Sequence, residues 1–205
     1  MDAQAWDARY AATDLVWSAT PNQFVEAETS DLPPGRALDL AAGEGRNALW
    51  LASRGWTVTA VDFSAVGLDK GRVRADAAGL AVSWVCADAT SFDPGPVHDL
   101  VVVAYLQLPE DERRAALRAA FAALALGGHL VVVGHDSSNL SEGTGGPQDP
   151  AVLFNAEELL GDLDGERFRV VRGERVARAV HADDGHGGEA ELTAWDALLH
   201  VVRNA

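Results

Sequence analysis

Three apolar runs of strand length, Arg36 to Ala41, Thr57 to Asp62 and Val82 to Ala87, alternate with helical patterns at Arg46 to Arg54 and Ala65 to Ala78. That rhythm dictates βαβ units, because parallel neighbours need a crossover long enough to hold a helix. Asp39, Asp62 and Asp88 stand at the ends of the three runs. Between the first run and its helix lies Gly43-Glu-Gly45, a turn whose missing Cβ atoms let backbone approach a ligand. Open α/β sheets bind ligands beyond the carboxyl ends of their strands, so strand-ending residues matter most. A helix cap would explain one such aspartate; three in phase point to a shared ligand.

The alternation continues. His98 to Tyr105 reads as a fourth strand, Pro109 to Leu126 as a helix opened by proline and stopped by Gly127-Gly128, and Gly128 to His135 as a fifth strand. Ser137 to Pro150 is too rich in Gly and Pro for an economical connection and is placed to close over an acceptor. A helix from Asn155 to Leu163 precedes two long strands, Arg167 to Val180 and Glu189 to Val202. In the second, Trp195, Ala197, Leu199 and Val201 alternate with Asp196 and His200. Ahead of the sheet, Ala5, Trp6 and Tyr10 mark a first short helix, and Pro21 opens a second through Glu28. The expected organisation is a single domain over 1–205: a helical cap over 1–34, a ligand-binding core over 35–136, a loop over 137–152, and a helix with a β-hairpin over 153–205.

A chain of 205 residues, 48% hydrophobic, can bury one substantial core. A formal charge of -15 argues against nucleic acid as substrate, since phosphate binding depends on Lys and Arg. Arg72, Arg74, Arg113, Arg114 and Arg118 fall on helical patterns and read as solvated. The single Cys86 reads as a buried strand thiol without a disulfide or metal role. His181 and His186, separated by Asp183 and Asp184, read as a solvated hairpin turn, so no metal site is expected. Residues 1 to 30 show no basic region followed by an apolar stretch, and the apolar runs are too short to cross a bilayer. A cytoplasmic protein with no nucleic-acid or membrane partner is expected.

Acids at successive strand ends beside a glycine turn suit a cofactor with a positive amine, a sulfonium, ribose hydroxyls and an adenine, and no phosphate. S-adenosylmethionine (AdoMet) has these groups. Asp39 would attract its amino group, Asp62 accept from the ribose hydroxyls and Asp88 from the adenine amine. Arg46 and Asn47 open the first core helix, where exposed amides favour an anion such as the methionine carboxylate. Gly43-x-Gly45-x-x-Ala48 also fits a relaxed dinucleotide fingerprint, with Asp62 about 20 positions further on. Asp39 discriminates, because a carboxylate there would repel a pyrophosphate, and Asp88 adds an acid that a dinucleotide does not need.

The stretch Ala37-Leu-Asp-Leu-Ala-Ala-Gly-Glu-Gly-Arg-Asn-Ala-Leu-Trp-Leu-Ala52, followed by Val58-Thr-Ala-Val-Asp-Phe-Ser64, resembles the class I AdoMet-dependent methyltransferases. Gly-Glu-Gly-Arg-Asn, with Trp6-Asp-Ala-Arg-Tyr10 and Trp17, is similar to the small tellurite-resistance and thiopurine-type subgroup. The likeness spans roughly residues 5 to 136. It implies a Rossmann-like, seven-stranded, mostly parallel sheet with an antiparallel C-terminal strand and helices on both faces. The cofactor set then extends to Ala41, Phe63, Ala89, Ala104, Tyr10 and Trp17. Ala41 departs from the family's first glycine, and its methyl group is expected to require a β-region backbone. The implied activity is methyl transfer to a small-molecule acceptor by in-line displacement. His135, ending the fifth strand, is the candidate base, Asp136 is to orient its imidazole or bind the acceptor, and Tyr105 is to face the acceptor or pack on the methionine portion of the cofactor. Two alternatives stay open: an AdoMet-binding partner without turnover, and a nicotinamide-dependent oxidoreductase.

Overall fold

The computed structural model describes the backbone of residues 2–183 and 189–205 and the side chains of 2–180 and 192–205. The histidine turn at 181–186 lies outside the described side chains. The strands are β1 (Arg36–Leu40), β2 (Thr57–Asp62), β3 (Val82–Cys86), β4 (His98–Ala104), β5 (Leu124–His135), β6 (Phe168–Asp183) and β7 (Glu189–Arg203). The helices are α1 (Ala3–Ala11), α2 (Gln23–Thr29), α3 (Arg46–Ser53), α4 (Ala65–Ala78), α5 (Glu110–Ala122), α6 (Asn139–Glu142) and α7 (Ala156–Asp162).

One seven-stranded sheet runs in the order β3-β2-β1-β4-β5-β7-β6. β1 to β5 pair in parallel, and β7 enters antiparallel between β5 and β6. This is the expected Rossmann-like sheet. Leu100, Val101, Val102 and Val103 are all buried, which requires covering layers on both faces. Phe24 and Val25 of α2 with Ala48 and Leu51 of α3 cover one face. Leu117 and Phe121 of α5 with Leu159 of α7 cover the other.

Local chemistry sets the helix ends. Asn22 accepts from the Phe24 and Val25 amides to start α2, Ser64 caps α4, and Asn155 and Glu158 cap α7 reciprocally. At its far end α2 is fastened to the sheet by side chains. Glu28 accepts from Arg172 of β6 at 2.7 Å and lies 2.9 Å from His200 of β7, which in turn lies 2.8 Å from His129 of β5. Burial pushes the Glu28 carboxyl up, but His200 and Arg172 outweigh it and hold it below its usual range.

Several expectations are corrected. The helix expected to reach Leu126 ends at Ala122, because the Val97 and His98 amides both donate to the Ala123 carbonyl and pull the chain into β5. The segment 137–150 contains α6, and a 3-10 turn follows at Pro150–Val152. Asn139 ties α6 down by accepting from the Trp195 amide and donating to the Gly145 carbonyl. Arg113 is buried rather than solvated and donates to Asp162 at 2.6 Å. Cys86 is exposed because β3 is an edge strand. In β7, Asp196, Leu198 and His200 are as buried as Ala197 and Leu199, so neither face of this strand is solvated.

Candidate active site

Leaving β1, the chain passes through three left-handed residues, Ala41 (φ 62°), Gly43 (φ 56°) and Gly45 (φ 72°). Ala41 therefore does not keep the expected β-region backbone. The Ala42 amide donates to the Val61 carbonyl and the Gly45 amide to the Ala42 carbonyl, which forces an abrupt exit from the strand. Holding a Cβ there costs about 1–2 kcal/mol. The glycines answer to their neighbours as well. A Cβ on Gly43 would lie 2.6 Å from the Tyr10 hydroxyl, and one on Gly45 would run into the Trp84 ring.

Asp39 is buried at the end of β1. Its Oδ2 accepts from the Ala48 amide at 2.9 Å, while Oδ1 is buried without a partner among the described residues. Burial pushes its carboxyl up to about 7, against the Ala48 amide and Arg46. A buried acceptor oxygen beside a glycine turn fits an ammonium group. Asp62 is tied on both oxygens, to the Gly43 amide and the Ser64 amide, each at 2.8 Å. Burial pushes it up, with Ser64 and Gly43 acting against the shift. Phe63 follows, half-buried. Asp88 is exposed and accepts from the Thr90 amide and hydroxyl, while Ala89 packs into the core on one face of the sheet and Ala104 against the core on the other.

Above the turn, Tyr10 of α1 is buried and Trp17 Nε1 donates to its hydroxyl at 3.3 Å. Burial pushes the Tyr10 hydroxyl up to about 12. Glu44, which the sequence reading missed, fixes this cover. It is buried, accepts from the Val16 and Trp17 amides, and pairs with Lys70 at 2.9 Å. Its only mark in the sequence is its position between two glycines.

A second polar cluster occupies the ends of the central strands. Tyr105, at φ 59°, donates to Asp196 Oδ2 at 2.8 Å and accepts from Asn22 Nδ2 at 3.3 Å. The Asn22 amide donates to Asn47 Oδ1 at 2.9 Å, which joins this cluster to the start of α3. Arg178 Nε donates to Asp196 Oδ2 at 2.7 Å. His135 Nδ1 stands 3.3 Å from Asp196 Oδ1, close enough for charge attraction but outside hydrogen-bond alignment. The Arg46 and Arg178 guanidinium carbons lie 5.8 and 5.7 Å from the Tyr105 ring centre.

Gly146 comes over the His135 ring so closely that a Cβ there would lie 2.9 Å from it. Asp136 accepts from the Ser138 amide and hydroxyl, so its Oδ1 shapes the turn after β5. The carboxylate beside the imidazole is Asp196. Asn22, Arg178 and Asp196 were missed in the sequence reading. The available hint was that Asp196 shares strand parity with Leu198, which contradicts a solvated face.

Residues 37–128 match a family described as a methyltransferase domain. Among solved structures, one similar chain comes from work on the conversion of a disulfide bond into a thioacetal group during echinomycin biosynthesis. It has a TM-score of 0.76 at 23% identity, covering 98% of this chain and 92% of that one. The N-methyltransferase NodS from Bradyrhizobium japonicum WM9, in complex with S-adenosyl-l-homocysteine (AdoHcy), has a TM-score of 0.73 at 20% identity, covering 99% of this chain and 98% of that one. TehB from Haemophilus influenzae has a TM-score of 0.70 at 18% identity, covering 99% and 67%. No curated protein matches the chain in sequence. The glycine turn flanked by buried acids thus lies inside a stretch similar to a methyltransferase domain, and the seven-stranded sheet around it has the fold of these solved structures.

Proposed function

We propose that the protein methylates a small-molecule acceptor held between the ends of β4 and β5 and the β6–β7 hairpin. The observation that carries the placement of the cofactor is the buried, unpartnered Oδ1 of Asp39. It would accept from the cofactor's ammonium group. Arg46 and Asn47 at the start of α3 would take the carboxylate, with Tyr10 and Trp17 covering that end. Asp62 would use its remaining lone pairs for the ribose, and Asp88 with Ala89 would meet the adenine. Ala41, Phe63 and Ala104 complete the lining.

AdoMet supplies an electrophilic methyl group on a sulfonium. The chain's own residues orient the partners and exclude water, the main requirement of an in-line displacement. His135 is the base for an acceptor that must lose a proton. Tyr105 faces the acceptor with its hydroxyl already engaged, and Asp136 shapes the turn behind His135. The net charge of -15 supports a small acceptor over nucleic acid, and we place the reaction in the cytoplasm. No helix among the described residues is long and apolar enough to cross a membrane.

Isothermal titration with AdoHcy tests the cofactor site. Wild-type protein should bind it, and Asp39→Asn should weaken binding roughly 10- to 150-fold, the loss of about 1.5–3 kcal/mol for a charged hydrogen bond. Equal affinity in the two proteins would remove Asp39 from the site.

A further inference from the structure

We infer that Asp196 is the positioning residue of the acceptor site, and that the arrangement it holds selects a neutral amine or hydroxyl acceptor over an anion such as selenite, tellurite or halide. This rests on the methyl-transfer reading above and adds the acceptor class to it.

Asp196 is fully buried in β7, a setting in which a carboxylate persists only if neighbours compensate its lost hydration. Burial pushes its carboxyl up, but His135, Arg178 and Tyr105 outweigh that and hold it below the usual range. Its two oxygens have different work. Oδ2 takes Arg178 Nε and the Tyr105 hydroxyl, while Oδ1 has no hydrogen bond among the described residues and faces His135 Nδ1 at 3.3 Å.

Three consequences follow for the acceptor. Tyr105 cannot serve as base, because its proton is committed to Asp196, and burial and that carboxylate both push its pKa up. The charge of Arg178 is already offset by Asp196, which it meets through Nε, and Arg46 stands at the end assigned to the cofactor carboxylate. An anionic acceptor would therefore meet Asp196 without a free cation to offset it. Finally, Asp196 attracts an Nδ1–H on His135, which leaves the lone pair on Nε2, on the far side of the ring. In the transfer, the acceptor's nitrogen or oxygen lone pair forms the new bond to the methyl carbon. The carbon–sulfur bond breaks with its electron pair going to sulfur. The acceptor's proton passes to His135 Nε2, and the resulting imidazolium faces Asp196.

The test combines an acceptor panel, variants and a direct look at the imidazole. Neutral amines and phenols should give methylated product by mass spectrometry, and selenite, tellurite and iodide should not. His135→Gln should lower kcat about 100-fold and flatten the pH–rate profile. Asp196→Asn should lower kcat about 10-fold or more and also flatten the profile, while AdoHcy affinity stays within about 2-fold. Nitrogen-15 spectra of wild-type protein, with His135 assigned by its loss in His135→Gln, should show the Nδ1–H tautomer. That measurement decides the matter if Asp196→Asn fails to fold. Turnover of anions alone, an Nε2–H tautomer, or an Asp196→Asn protein with unchanged kcat and pH profile would overturn the inference. Absence of AdoHcy binding to wild type would instead strike the methyl-transfer reading on which it rests.

Discussion

The two halves of the site are held together by different means. Around the glycine turn, acids from β1 and β2 are fixed by main-chain amides: Ala48 on Asp39, and Gly43 and Ser64 on Asp62. At the ends of β4 and β5, beside the middle of β7, the groups are fixed by other side chains, with Asp196 holding Tyr105 and Arg178, and Asn22 joined to Tyr105. Amide donors follow from the backbone path and survive most substitutions. Side-chain partners must each be supplied by a separate position. The end proposed for the cofactor is thus specified by local chain geometry, and the end proposed for the acceptor by a small set of distant residues.

The sharpest way to strain this contrast is pH, because Asp39 is the one acid at the turn with an unpartnered oxygen. Its folded pKa, raised to about 7, lies above the unfolded value of about 3.9. Its contribution to stability is therefore fully present below about pH 4 and is lost as pH rises through about 7. The upper limit of that loss is about 4 kcal/mol for the cofactor-free protein. Urea melts at pH 5 and pH 8 should show a steeper decline for wild type than for Asp39→Asn. Parallel curves would mean that Asp39 is not buried as described.

A smaller effect of about 3 kcal/mol is expected from Gly45→Ala, combining left-handed strain with overpacking against Trp84. Chemical denaturation would register it, and a loss below about 1 kcal/mol would show that the turn yields easily. The smallest effect belongs to the Asp196 cluster. Tyr105→Phe removes the hydroxyl shared by Asp196 and Asn22 and should cost about 1–2 kcal/mol, with AdoHcy affinity unchanged. A matching loss of AdoHcy affinity would show that the halves are coupled through Asn22 and Asn47.

The same division explains what could be read from the sequence. Asp39, the glycines and Asp62 sit at fixed offsets from strand and helix patterns, so the sheet and the glycine turn were legible. The end of α5 was not, because Gly127-Gly128 looks like a helix stop, whereas the Val97 and His98 amides capture the Ala123 carbonyl earlier. Ala41 was misjudged since a left-handed alanine is set by the link between Ala42 and Val61, which no local propensity reports. Asp196 and Arg178 escaped because an alternating strand looks identical whether its polar side meets water or a buried network. Glu44 was hidden for a related reason, as its partners Val16, Trp17 and Lys70 come from outside the motif.

β7 enters the sheet between β5 and β6, although it follows both in the chain. During synthesis β5 therefore waits as a bare edge until the strand carrying Asp196 has been made, and β6 has no neighbour to pair with until the same moment. An uncovered edge of Leu130, Val131, Val132 and Val133 is a template for pairing between nascent chains. Ribosomes that stall between residues 136 and 189 would release a product that keeps its glycine turn yet is prone to aggregate.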